Sequence, residues 1–170
     1  LQTAIDEASS GDELIMIDDA VITFDVVTPI GKSFVFNMNG HSIDTTKTFT
    51  FNGPVEFKNE TNSKSLINCK INSTLFTAKY SLDITNVDLQ SAGPVISSVS
   101  ALNITNSKIK SSSTAITFNK ADVFNITSSE ITTSGSAITI TNSTYTTITD
   151  TTIKGSLLNA ASTSNLTITI

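Results

Sequence analysis

The chain has 170 residues and a formal net charge of −5, and its 10 basic residues are all lysines. This length suits one domain with a sizeable core, and the acidic balance makes nucleic acid an unfavourable partner. Only 15% of the residues are charged, whereas 52 are serine or threonine and 15 are asparagine. Regularly recurring isoleucine, leucine, valine and phenylalanine argue against disorder and favour β-strands. No apolar run reaches 18 residues, so we expect no membrane insertion.

The first residues predict a short helix that caps the fold. The apolar residues of "LQTAIDEASS" have the i, i+3, i+4, i+7 spacing of one helix face and are Leu1, Ala4, Ile5 and Ala8. Gly11 is placed to end this helix, and "ELIMI" then begins the first strand. A repeat fold needs a cap over its first coil. We therefore expect one domain over 1–170, with the capping helix in 1–10 and coils in 11–170.

The next part of the chain has a less regular strand pattern. "NMNGHSI" contains a turn at Gly40, and "VEFKN" matches the later repeat with Phe57 and Asn59. The following match, "LINCKI" from Leu66, begins only nine residues after Phe57. Either one coil contains two of these segments, or an insertion lies near 61–64.

An internal repeat is the strongest pattern in the sequence. "LDITNVDL", "LNITNSKI", "FNITSSEI" and "TTITDTTI" align, and "LTITI" begins a further copy. The central isoleucines, spaced by 20, 22, 22 and 20 residues, are Ile84, Ile104, Ile126, Ile148 and Ile168. Each copy alternates apolar and polar residues and is followed by further short strands. This pattern predicts a parallel β-helix whose like residues stack about 4.8 Å apart. A leucine-rich repeat is the alternative, although its asparagine falls at another offset and this chain has no helix-forming half.

The position after the central strand is predicted to form a corner of each coil. Asparagine, aspartate and serine tolerate a left-handed backbone and form local hydrogen bonds. Stacked asparagines can also bond to one another along the coils. The predicted corner residues are Gly40, Asn68, Asn86, Asn106, Ser128 and Asp150.

Two polar rows are predicted on the outward face of the central strand. Threonine follows each central isoleucine, and aspartate, asparagine or threonine precedes it. Threonine is also a favourable solvent-facing strand residue, which explains the rows without a ligand. A glycan-binding strip would use Asp83, Thr85, Asn103, Thr105, Asn125, Thr127, Thr147 and Thr149. Ice binding is a second use of such threonine arrays, although only the last two copies have threonine in both rows.

The first 43 residues resemble a known family. "LQTAIDEASSGDELIMIDD", followed by "GKSFVFNMNGHSID", is similar to the start of right-handed parallel β-helix domains of microbial surface proteins, within the pectate-lyase-like superfamily. Met38 takes the place of a leucine in the family pattern, and Asn39, Gly40, His41 and Ile43 match it. The resemblance implies a right-handed all-β solenoid, here of about eight coils, in a cell-surface adhesin or stalk. Some relatives with this fold are polysaccharide lyases and hydrolases, so the fold alone does not decide the function.

The residues needed for enzymatic activity in such relatives are missing from this sequence. No arginine is present for a lyase mechanism, and neither Gly-His-Gly nor Arg-Ile-Lys occurs. His41 is the only histidine, which excludes a two-histidine metal site. Asp18 and Asp19 belong to a turn, and the corner at Asn86 should aim Asp83 and Asp88 differently. We therefore expect no catalytic residues, no metal and no cofactor.

Together with the missing catalytic residues, the resemblance implies an extracellular, non-enzymatic adhesin or stalk segment of a longer surface protein. Its expected partners are carbohydrates or host or matrix proteins. The alternatives are a polysaccharide-active enzyme whose site lies outside this segment and an ice-binding solenoid. The strand "NLTITI" at residues 165–170 has apolar flanks and no following cap. An exposed strand edge is a template for pairing, so we also predict end-to-end self-association through it.

Overall fold

The chain folds as an all-β parallel solenoid with one short N-terminal helix. The computed structural model describes residues 1–97, 100–118, 121–141, 143–160 and 163–169. In chain order the elements are α1 Gln2–Glu7, β1 Glu13–Ile15, β2 Ala20–Ile22, β3 Val26–Val27, β4 Phe34–Asn37, β5 Ile43–Thr45, β6 Phe49–Phe51, β7 Val55–Lys58, β8 Ser65–Cys69, β9 Phe76–Ala78, β10 Ser81–Thr85, β11 Val87–Ser91, β12 Ile96–Ser97, β13 Ala101–Thr105, β14 Lys108–Ser111, β15 Ile116–Phe118, β16 Ala121–Thr127, β17 Glu130–Ile140, β18 Ser143–Thr149, β19 Thr152–Ala160 and β20 Thr163–Thr169.

Three faces run along the solenoid. Face A is an eight-stranded parallel sheet in the order β1-β4-β7-β10-β13-β16-β18-β20. Face B contains β2, β5, β8, β11 and β14, and face C contains β3, β6, β9, β12 and β15. The two faces join into one sheet because β17 pairs with β14 through its first residues and with β15 through its last.

The number of coils is slightly lower than the predicted eight. The first five coils have a separate strand on each face, and in the next two a single long strand serves faces B and C. The eighth strand of face A, β20, pairs with β18. No described strand on face B or face C follows it, so the eighth coil is not complete among the described residues. Right-handed winding, which parallel crossovers strongly favour, stays a prediction.

The core follows the alternation predicted from the repeat. In β10 and β13 the inward residues are buried and the outward residues are at least partly accessible. The central isoleucines stack in register, and Ile84, Ile104, Ile126 and Ile148 are each at most 1% exposed. Toward the N-terminus aromatic side chains continue this row, with Phe57 paired to Ile84 and Phe36 to Phe57.

The structure shows how the irregular stretch after Phe57 is arranged. β7 lies on face A and β8 on face B of the same coil. One coil therefore contains both segments, which is the first of the two alternatives left open by the sequence. The loop at 59–64 joins the two strands.

The N-terminal helix is shorter than the predicted range 1–10. It ends at Glu7, because Ala8 has an extended backbone with ψ 150°. Ile5 is fully buried, and the Gln2 side chain forms two hydrogen bonds with the backbone of Val27, at 2.9 and 3.0 Å. The helix is thus hydrogen-bonded to β3 and packs against the core of the first coil. None of the described residues forms a helix that is long and apolar enough to cross a membrane.

The predicted association through the C-terminal edge concerns residues 166–170. Ile170 lies outside the described residues, and β20 is described as a strand of face A. Self-association through this edge stays a prediction.

Candidate functional site

The candidate glycan-binding residues lie in two aligned rows on face A. Strand pairing places Asp83, Asn103, Asn125 and Thr147 in one row and Thr85, Thr105, Thr127 and Thr149 in the other. All eight are intermediate or exposed in accessibility. Because strand side chains alternate between faces, both rows follow from the burial of the isoleucines between them.

Hydrogen bonds hold the first row as a ladder. The Asn125 Nδ2 atom donates to Oδ1 of Asn103 at 2.9 Å, and the Asn103 Nδ2 atom donates to Oδ1 of Asp83 at 2.5 Å. The ladder therefore has a direction and ends on a carboxylate. Its side chains are restrained before any ligand arrives, and such preorganisation lowers the entropic cost of binding.

A third outward row lies on the same face and was missed by the sequence reasoning. It contains Ser81, Ala101, Val123 and Tyr145. Val123 is 37% exposed and Tyr145 is 56% exposed, and Tyr145 lies two residues before Thr147 on β18. The repeat motif began one outward position later, which is why this row went unnoticed. An exposed tyrosine beside an amide ladder offers both an apolar ring surface and a polar tip.

The corner after β10 and β13 has the left-handed backbone that the sequence suggested. The φ angles are 59° at Asn86, 49° at Asn106, 50° at Ser128 and 48° at Asp150. Nδ2 of Asn106 donates to Oδ1 of Asn86 at 2.6 Å, and Nδ2 of Asn86 donates to the Asn59 carbonyl at 3.1 Å. The corner asparagines thus bond along the stack as well as turning the chain.

The corner of the second coil is built differently. Asn39 and Gly40 both have positive φ, at 47° and 82°, and the His41 amide donates to the Met38 carbonyl at 2.8 Å. Two consecutive residues with positive φ are typical of a type I′ turn, for which Asn-Gly is favoured. His41 lies beside this turn with its Nδ1 atom 3.4 Å from Oδ1 of Asp19.

Asn68 is not a corner residue, and that prediction was wrong. It lies within β8 on face B, where it pairs with Asp44 and Gln90 of the neighbouring strands. Its Nδ2 atom donates to Oδ1 of Asp44 at 3.0 Å. The error arose because "LINC" matches the face A motif although it belongs to the next face. In register, the residue of this coil that matches the Asn86 corner is Asn59, which is 2% exposed.

A buried ladder of hydroxyl groups lies directly after the corner and was also missed. The Val87 amide donates to Oγ of Ser107, the Ser107 amide to Oγ of Ser129, and the Ser129 amide to Oγ1 of Thr151, at 3.2 to 3.4 Å. Each of these hydroxyls in turn donates to the carbonyl two residues earlier in its own coil. The hydroxyls therefore satisfy backbone groups at the bend, where ladder hydrogen bonds between strands are interrupted.

The corner polar groups also border two shallow grooves that meet at Asn106. One groove of about 220 Å³ lies between the 59–64 loop and the corner asparagines. The other, of about 290 Å³, continues past Ser128 toward Glu130 and Asp150. Lys64 borders both grooves. Such grooves are small beside the 300–1,000 Å³ typical of drug-sized pockets, and they suit surface contact rather than enclosure.

Two carboxylates of face B, Asp44 and Glu130, are ion-paired with lysines. Hydrogen bonds from Lys70 and then Asn68 hold the pKa of Asp44 below its usual value, and Lys154 does the same for the pKa of Glu130. Such carboxylates stay ionised at neutral pH, so they are unsuited to donating a proton.

On face A, Lys58 contacts two carboxylates. Its Nζ atom lies 2.7 Å from Oε1 of Glu60 and 3.1 Å from Oε1 of Glu13, and these two contacts raise the pKa of Lys58 to about 12. Asp83 and Asp88 lie on different faces, in β10 and β11, as expected. Among the described residues, no group of three or more His, Cys, Asp or Glu side chains is arranged to hold a metal ion.

Asn106→Val should destabilise the fold by about 1–3 kcal/mol, because a β-branched residue is strained at positive φ and the ladder bond to Asn86 is lost. Asn106→Asp should cost less, since Asp150 has the same backbone conformation at the equivalent corner. Asn106→Gly separates the two causes, because glycine adopts positive φ without strain but still lacks the side-chain amide of the ladder bond. The free energy of unfolding from denaturant titration would measure all three variants. A neutral valine would contradict the strained corner.

Comparison with protein families, curated proteins and solved structures gave no match for this chain. The solenoid fold rests on the structure itself. Membership of the pectate-lyase-like superfamily stays a prediction based on the motifs of the first 43 residues.

Proposed function

We propose that the chain is a non-enzymatic segment of an extracellular surface protein, an adhesin or stalk that binds glycans along face A. The hydrogen-bonded row of Asp83, Asn103 and Asn125 carries this proposal. Amide and carboxylate groups bond sugar hydroxyls as donors and acceptors. The coil repeat of about 4.8 Å is close to the length of one pyranose ring, so successive coils can contact successive sugars.

Tyr145 supports a carbohydrate ligand over a purely structural row. Its exposed ring lies on the same face as Thr147 and Thr149. Aromatic rings with a polar tip are enriched at binding surfaces, and the apolar face of a sugar can stack on such a ring. Host or matrix proteins are the alternative ligands for this face.

A glycan array probed with the purified chain tests the proposal. We expect binding that falls at least tenfold in Asn125→Ala, a change of about 1.4 kcal/mol, because the amide at the donor end of the ladder is lost. Tyr145→Ala should also weaken binding. Thr139→Ala is the matched control, since Thr139 is half-buried on face C, in β17. Binding that is unchanged in both face A variants, or absent from every glycan, would reject the glycan-binding role and leave protein ligands to be screened.

The non-enzymatic part has its own test. We expect no cleavage of polygalacturonate or other acidic polysaccharides, with or without calcium, because the sequence contains no arginine and the ion-paired carboxylates stay charged. Absorbance of unsaturated products and reducing-end release would report cleavage. Steady product formation that co-purifies with the chain would reject the non-enzymatic function. Thermal hysteresis of the same sample would test ice binding, the second alternative.

A further inference from the structure

The first coil has an apolar outer surface, unlike the later coils. Its outward and corner side chains include Ile17, which is 90% exposed, Ile30 at 85% and Val21 at 74%. On face A, the outward position of Ile15 holds Asn37 and Lys58 in the next two coils and threonine in the coils after them. We name the exposed apolar side chains of this coil the N-terminal apolar ring: Ile15, Ile17, Val21, Phe24, Val27 and Ile30.

The stretch 14–17, which begins in β1, is apolar on both sides of the chain. Leu14 and Met16 are half-buried and line a groove of about 260 Å³ beside α1, whereas Ile15 and Ile17 are exposed. Strands that are apolar on both faces are typical of strands covered on both sides. Ile15 and Ile17 also line this groove, and exposed apolar surface of this kind marks an interaction site.

The first coil and α1 are strongly acidic. Residues 1–31 contain seven of the 15 acidic residues and none of the 10 lysines, so their net charge of −7 is more negative than the −5 of the whole chain. Within the described part of the chain, Glu13 is the one acidic residue of this coil in an ion pair with a lysine, Lys58. The acidic residues lie in the same stretch of sequence as the apolar ring and are Asp6, Glu7, Asp12, Glu13, Asp18, Asp19 and Asp25.

The backbone of this coil can also accept another strand. β1 is the end strand of face A and pairs only with β4 among the described strands. An end strand presents unpaired N–H and C=O groups that an extended peptide can use. An added strand would place side chains of one face next to Ile15 and Ile17, and its ends near Asp12 and Asp18.

We propose that the N-terminal coil docks an extended cationic segment of a partner protein, which adds as a strand to β1. The segment alternates apolar residues, which pack beside Ile15 and Ile17 of the N-terminal apolar ring, with lysine or arginine residues that neutralise the acidic residues of this coil. The negative charge of this coil favours a cationic segment over a second copy of the chain or an anionic membrane. A second copy docking through the same end would bring two charges of −7 together, and an anionic membrane would be repelled in the same way. This proposal is independent of glycan binding on face A.

Fluorescence anisotropy of three labelled heptapeptides tests the docking. The probe alternates Lys and Val, the second peptide alternates Glu and Val, and the third alternates Lys and Ser. We expect the Lys-Val peptide to bind at least about tenfold more tightly than the other two, since each buried apolar side chain is worth about 1.5–3 kcal/mol. On binding, the amide of Ile15 should become protected from hydrogen exchange.

Variants of the ring supply the matched controls. Ile15→Thr/Ile17→Thr changes two exposed side chains and should leave the fold intact, while weakening the binding of the Lys-Val peptide at least about tenfold. Ile71→Thr makes the same type of change at a 38% exposed site in the third coil, and this variant should bind the Lys-Val peptide as tightly as the unchanged chain does. Equal binding of Lys-Val and Lys-Ser peptides, or full binding by the ring variant, would overturn the proposal. Sedimentation that shows dimers lost in the ring variant would make a second copy the occupant and would overturn it as well.

Discussion

Ile104→Asp is expected to leave the chain unfolded. Ile104 is 1% exposed and stacks in register between Ile84 and Ile126. An aspartate there would bury a charge among apolar side chains, at an effective cost of several kcal/mol. Domains of this size are stable by only about 5–15 kcal/mol, and the same change also removes the contacts of the isoleucine. Far-ultraviolet circular dichroism and thermal unfolding of the purified variant would measure the loss.

Thr105→Asp is the control for this prediction. Thr105 is the next residue on the same strand, and its side chain is exposed on the outward side of face A. Its replacement places the same charge in water, so the expected cost is at most about 1 kcal/mol, from the lower strand propensity of aspartate. Similar losses in both variants would contradict the alternation of inward and outward residues along β13.

Face A of the later coils could be predicted because its copies differ little in length. Ile84, Ile104, Ile126 and Ile148 lie 20 or 22 residues apart, and the neighbouring polar residues keep fixed offsets from them. A solenoid places residues at equal offsets in one row. The alignment alone therefore predicted both outward rows and the left-handed corner residues from Asn86 onward.

The earlier coils could not be assigned in the same way, because two faces carry similar short motifs. Phe57 on face A and Ile67 on face B are both buried strand residues followed by a polar one. Local alternation is the same on every face, and only pairing with neighbouring coils tells the faces apart. This ambiguity produced the wrong assignment of Asn68.

The buried hydroxyl ladder shows a different limit of sequence reasoning. Ser107, Ser129 and Thr151 follow the corner residue in three successive repeats, so their spacing was visible. In a chain with 52 serine and threonine residues, nothing in that spacing marked these three as buried. Their burial follows from the bend itself, where backbone groups turn away from the neighbouring strand and need other partners.

The two proposed binding surfaces differ in what the sequence could reveal. The face A rows depend on repetition, whereas the N-terminal apolar ring depends on a departure from it. Ile15 occupies an outward position that holds polar residues in later coils, but that contrast requires knowing which side of β1 faces outward. The structure supplies this orientation through the half-burial of Leu14 and Met16.

Phe57→Ala should destabilise the fold by about 3–5 kcal/mol, the usual cost of removing a buried aromatic side chain. Phe57 is fully buried, and its ring centroid lies 4.8 Å from that of Phe36, 5.0 Å from that of Phe76 and 5.7 Å from that of Phe51. The cavity would lie where side chains from faces A and C meet, so neither face can close it without moving the other. Phe57→Leu should cost less, because most of the volume is kept. Phe24→Ala is the matched control, since the Phe24 side chain is 52% exposed and its loss leaves no cavity. Denaturant titration should lower the midpoint of Phe57→Ala at an unchanged slope, and equal midpoints for Phe57→Ala and Phe24→Ala would contradict an aromatic core in the first half of the solenoid.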